Sequence, residues 1–227
     1  MADVRKALEA EREMEREFVA EARKSETQPK GWPAALLLFH LCMWRERLLN
    51  ALTDVRDGRP HVPPPENADE VNDAELASGL GVSLADIHER SDTLLDSLIQ
   101  LSDQVGDRSF KWYAANTTAE ALLRNSYTHP RLHIAEYWKE NGQRERAHRV
   151  FEEAEADMRD ISAPPIALAT VLYNLACARV DQGRLDDALS LLGEALPMRP
   201  ELRVEAASDP DLAALRDEAR FKALVQS

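Results

Sequence analysis

Cysteine, basic charge and long apolar runs are all in short supply in this sequence. Its two cysteines, Cys42 and Cys177, lie far apart and cannot build a dense disulfide framework. Lysine and arginine number 28 against 41 aspartates and glutamates, and the resulting net charge of -13 repels phosphate backbones and anionic lipid heads. Neither nucleic acid nor membrane is expected as a partner. The most apolar stretch, Trp32 to Leu41, is broken by His40 and followed by Arg45, Glu46 and Arg47, which leaves it too short to cross a bilayer. The first residues, Met1 to Arg12, carry charges where a signal peptide needs an apolar segment, so the expected compartment is the cytoplasm. Alternation of β-branched residues never persists beyond a few positions, so no strand of consequence is expected.

What the sequence does have is helical periodicity. Val4, Leu8, Met14, Phe18 and Ala22 recur at helical spacing among charged neighbours, predicting a first helix over Val4 to Ala22. After a polar turn at Ser25 to Lys30, Pro33 opens a second helix through Leu52 that is apolar on nearly all sides and should lie centrally. Gly58, Pro60, Pro63, Pro64 and Pro65 bar helix between Asp57 and Asp69, which reads as an exposed crossover or lid. A short helical piece near Asn72 to Ser78 follows. Ser83 with Asp86, and Thr117 with Glu120, resemble capping boxes that open helices to about Gln104 and Asn141. The interval from Gly106 to Asn116 reads as a break between them.

From Thr128 onward the chain repeats itself. Around Gly142 stand Ala135, Ala147, Phe151 and Ala154; around Gly183, at the same offsets, stand Ala176, Ala188, Leu192 and Ala195. Small residues there let two antiparallel helices approach closely, and Pro200 ends the second copy. The pattern over Thr128 to Pro200 resembles the tetratricopeptide repeat (TPR), with an insertion containing Pro164 and Pro165 between the copies. Leu212, Leu215, Phe221 and Leu224 of the tail would cap the last exposed apolar face.

His129 and His133 stand four apart on one predicted helix, so their imidazoles project from one face and can share an ion. His40 lies inside the apolar stretch Leu36 to Trp44, where a neutral imidazole needs a partner for its ring nitrogens. A three-histidine site with an open position fits a catalytic zinc or nickel, with manganese and iron as further options. Lone helical histidines are more often structural, and His129 and His133 could equally decorate the first repeat. The pattern LLLFHLCMW with THPRLHIAEY resembles the DinB/YfiT-like superfamily of four-helix bundles, and KWYAANTTAEALLRNSYTHP resembles its ClbS/DfsB-like branch, over about residues 1–141. The resemblance implies metal held by His40, His129 and His133, and a metal-dependent hydrolase or a thiol-dependent transferase or isomerase using a low-molecular-weight thiol. The branch implies detoxification or self-resistance by opening of a reactive ring.

Trp44, Trp112, Tyr113, Asn125 and Tyr137 are candidates for binding a small-molecule substrate, although aromatic residues mostly fill cores. Glu11 falls on the apolar stripe of the first helix; a glutamate snorkelling at the edge of that face is favoured over a buried general base. His88 is read as a core-edge histidine outside the site. Pro130 removes a backbone donor inside the supposed helix, which must kink there or begin anew at His129. The expected architecture is thus all-α: an up-and-down four-helix bundle over residues 1–141, then two TPR-like hairpins with a cap over residues 128–227. One helix, about 117–141, serves both. The rival function is a non-catalytic module whose repeats bind a peptide or protein, and the assembly options include a homodimer.

Overall fold

In the computed structural model, which describes residues 3–24 and 29–226, the chain is mostly α-helical. The polar turn expected at Ser25 to Lys30 lies largely outside the described residues. Helices α1 (Val4–Ala22), α2 (Ala34–Arg56), α3 (Ala68–Glu75) and α4 (Leu84–Val105) come first, α4 capped by the Ser83 hydroxyl accepting from the Asp86 amide. No described helix is long and apolar enough to cross a membrane.

Against expectation, the interval after Gly106 holds a small antiparallel ribbon, β1 (Ser109–Trp112) with β2 (Ala115–Thr117), pairing Trp112 with Ala115. Its alternation spans only four residues: Phe110 and Trp112 are buried while Ser109 and Lys111 are exposed. That is enough to pin the ribbon, because the two rings enter a core cluster with Leu8, Leu52 and Leu98. His61 of the proline-rich segment rests on Phe110, with ring centroids 4.8 Å apart.

Thr117 caps α5 (Thr118–Leu123) by accepting from the Glu120 amide, and Glu120 reaches back to the Asn116 amide at 2.7 Å. A π-turn over Arg124–Thr128 then leads into α6 (His129–Glu140). This resolves the difficulty at Pro130. The His129 amide donates five residues back to the Arg124 carbonyl, so the widened turn admits a proline ring that an α-turn would crowd. The helical path continues and His129 opens its last segment.

Helices α7 (Arg144–Asp160), α8 (Pro165–Asp181) and α9 (Leu185–Met198) pack in series, α6 on α7, α7 on α8 and α8 on α9. The turns after α6 and α8 are closed alike. Gly142 and Gly183 adopt φ of 77° and 74°, and the following amides, Gln143 and Arg184, donate five residues back to Trp138 and Arg179. Ala176, Ala188 and Ala195 are fully buried between helices. Ala188→Leu should therefore destabilise the fold by about 1–3 kcal/mol, because added methylenes must displace a close-packed neighbour. An unchanged urea midpoint would show that α8 and α9 do not approach this closely. The tail forms α10 (Leu202–Ser208), a 3-10 turn (Pro210–Leu215) and α11 (Ala219–Gln226), burying Leu212, Leu215 and Phe221 against Tyr173, Leu192 and Leu196.

The two ends of the chain share their cores. One cluster holds Phe18, Leu38, Ile87 and Trp138 together with Ala147 and Val150 of α7, with Phe151 packed against it. Another joins Ala7, Leu123 and Tyr127 to Ala154, Met158 and Val171. Gly79, in the 3-10 turn after α3, closes on α2 at the residue before His40, since any Cβ there would strike the Phe39 ring.

Candidate metal centre

The second turn of α2 and the first turns of α6 meet at three imidazoles. His129 Nε2 lies 3.1 Å from His40 Nε2 and 3.0 Å from His133 Nε2, and the three ligand atoms fall within 4.8 Å of one another. Nitrogens held about 2.0–2.1 Å from one tetrahedral ion stand roughly 3.3–3.4 Å apart, so this donor set fits a divalent metal. The Glu136 carboxylate accepts from His133 Nδ1 at 3.0 Å, which leaves the Nε2 lone pair facing the other two rings. Among the described residues, His40 Nδ1 is buried without a partner.

Burial is what keeps the His40 and His129 rings neutral. It holds His40 down to about 4, with the neighbouring His133 acting in the same direction, and pushes His129 well below the usual imidazole range, with His133 and His40 again adding to the effect. Three converging imidazole nitrogens are a donor set that a transition-metal ion can use.

Beside them opens a cavity of about 320 Å³ walled by Trp32, Trp44, Trp112, Tyr113, Asn125 and Arg124, with Ala68, Asp69 and Asn72 of α3 at its rim. The structure thus brings Trp44, Trp112, Tyr113 and Asn125 together with the histidines. Tyr137 sits apart: it lines a neighbouring cavity with Trp32, His133 and Glu136, and packs edge-on against Phe18 with centroids 5.1 Å apart. Asn72 accepts from the Trp44 indole at 3.1 Å and Asn125 donates to the Trp44 carbonyl at 3.2 Å, so both carboxamides hold one wall of the cavity. Sequence reasoning passed over Trp32, Asn72 and Arg124. Trp32 stands eight residues before His40, about two turns away, and that spacing was the one available signal for it. The π-turn places Arg124 a single widened turn before His129, a relation that α-helical periodicity does not anticipate.

Behind the histidines, on the side of α1, lies a buried ionic network. Arg45, fully buried on α2, donates to Glu15 at 2.6 Å and to Ser91 at 2.6 Å, and the Ser91 hydroxyl donates to the other Glu15 oxygen at 2.5 Å. Arg131, between the two α6 histidines in sequence, donates to Glu11 at 3.0 Å and to Asp157 of α7 at 3.1 Å. Glu11 is therefore neither a snorkelling edge residue nor a lining group of the cavity. It is fully buried and paired, because its partner arrives from a helix 120 residues away. Burial pushes its carboxyl up to about 8 against the pull of Arg131, while Glu15 adds to the rise. His88 is half-buried on α4, away from the histidine cluster.

Comparison of the chain with models of protein families, with curated proteins and with solved structures found no match.

Proposed function

We propose that this protein is a metal-dependent, DinB-like enzyme acting on a small electrophilic molecule, by hydrolysis or by transfer of a thiol. The observation that carries the reading is the convergence of three Nε2 atoms beside an aromatic-walled cavity. His40, His129 and His133 would hold the ion, and zinc or nickel suits a set of neutral imidazoles. When bound, such an ion supplies Lewis acidity, making a water or thiol a nucleophile near neutral pH. The chain's own residues do the rest. Glu136 fixes the His133 tautomer, the tryptophans exclude water from the reacting end of the cavity, and Ala68, Asp69 and Asn72 of α3 close part of its lining. In this reading α1, α2, α4 and the long helix ending at Glu140 are the DinB-like bundle, while α6 to α9 are TPR-like pairs sharing that long helix.

Protein purified without a histidine tag should carry about one divalent ion per chain, counted by mass spectrometry of the metals. His133→Ala should remove most of that metal while leaving the far-ultraviolet helix signal nearly unchanged, because apolar packing carries the fold. Wild-type protein that takes up neither zinc nor nickel would defeat the reading. Unfolding of the variant would instead make the histidines structural.

A further inference from the structure

Two groups in the aromatic cavity lack the partners that their surroundings supply elsewhere. Among the described residues Arg124 is the one lysine or arginine lining it, and its guanidinium lies over the Tyr113 ring, 5.1 Å from the centroid. Among the described residues no carboxylate pairs with it, although the nearby Arg45, Arg47 and Arg131 each hold an acidic partner. Asp69, the carboxylate at the cavity rim, forms no ion pair with it either. Arg199, across the adjoining cavity, adds its own positive charge while turning to Glu201 and Thr170. In a chain of net charge -13, Arg124 sets a positive charge at the cavity wall that no carboxylate of the described residues pairs, where an anionic ligand can meet it.

Tyr113 is the second such group. Its phenol oxygen is buried and, among the described residues, has no hydrogen-bond partner. The residue opens the two-residue turn between β1 and β2, where a hairpin calls for a positive φ, and its φ is 51°. The turn explains the backbone angle; the buried hydroxyl without a partner is what points to a ligand at this wall. Trp44 and Trp112, with ring centroids 6.3 and 6.2 Å from that of Tyr113, continue the same wall as apolar surface.

We infer that the ligand of this cavity is a small molecule carrying an oxyanion on an apolar body, with the oxyanion held by the Arg124 guanidinium and the Tyr113 hydroxyl and the body lying against Trp44 and Trp112. This deepens the metal-enzyme reading and rests on it for the chemistry at the histidines, but the recognition itself uses no histidine. An oxyanion accepts from both orphaned donors at once, and a charge-assisted bond to arginine is roughly twice as strong as a neutral one. Carboxylates and phosphonates share that chemistry.

The test uses full-length, tag-free protein, metal-loaded or stripped with chelator, titrated by tryptophan fluorescence with benzoate, phenylphosphonate and neutral benzyl alcohol. Wild type should bind at least one of the anions about tenfold more tightly than the alcohol in both metal states. Whichever anion binds more tightly identifies the oxyanion class. Arg124→Gln should erase that preference and Tyr113→Phe should reduce it, with benzyl alcohol unaffected. Arg124 is exposed, so the variant should fold; if it does not, Arg124→Lys and Tyr113→Phe decide. Equal binding of anion and alcohol by wild type overturns the inference. So does a preference that survives Arg124→Gln but vanishes with the metal, a result that leaves the metal reading standing. An anion preference in protein that takes up no metal does the reverse.

Discussion

Arg45→Ala is expected to destabilise the protein by about 3–5 kcal/mol, a large share of the roughly 5–15 kcal/mol that holds a typical domain folded. The guanidinium is fully buried, and its loss leaves Glu15, also buried, with a charge and only the Ser91 hydroxyl to answer it. Denaturant unfolding measures the change directly. Replacing both partners, as Glu15→Leu with Arg45→Met, should recover most of the lost stability, since a buried ion pair gives little net stabilisation over an apolar pair of similar volume. A single variant that shifts stability by less than about 1 kcal/mol would show that water reaches the pair.

The double variant also separates stability from function. Arg45 lies five residues after His40 on α2, and Arg131 lies between His129 and His133 on α6; both reach carboxylates of α1. Glu11 and Glu15 stand one turn apart and so set the axial positions of the two histidine-bearing helices against a common ruler. An apolar replacement keeps the volume and gives up the register. Stability should return while metal affinity stays below that of wild type.

How much of this was legible in the sequence depends on how local each signal is. The spacing of His129 and His133, the hydroxyl caps at Ser83 and Thr117, and the glycines at 142 and 183 are all written within one or two turns of chain, and each appears where local chemistry requires it. The ribbon at residues 109–117 was missed because its alternation is four residues long and draws meaning only from the core beneath Phe110 and Trp112. Glu11 was misread because nothing in α1 announces Arg131 as its partner. The segment RNSYT carries no mark of a π-turn; Pro130 was the only hint, and it posed the question without the answer. With that turn went Arg124, which helical counting does not place beside the histidines.

The same non-local packing bears on whether the molecule can be divided. Ending the chain after Gly142 is expected to give insoluble or poorly folded protein. Ile134, Ala135, Tyr137 and Trp138 share a cluster with Ala147 and Val150, so the cut would uncover the outer face of α6. It would also strip Ala154, Met158 and Val171 from Leu123 and Tyr127, directly before the histidines. Polar losses compound the exposure. Asp157 accepts from both the Tyr127 hydroxyl, at 2.6 Å, and Arg131, at 3.1 Å, so its removal would leave buried donors unsatisfied beside His129 and His133. Arg146, which donates to Glu21 at 2.9 Å while lying over the Trp138 ring, would be lost as well. Size-exclusion chromatography, denaturant unfolding and metal content of the truncated chain measure the outcome. A monomeric fragment that unfolds cooperatively and keeps its metal would mean that residues 1–142 stabilise the site alone. The helices beyond would then be free for a partner, and the shared helix would be a junction rather than a common core.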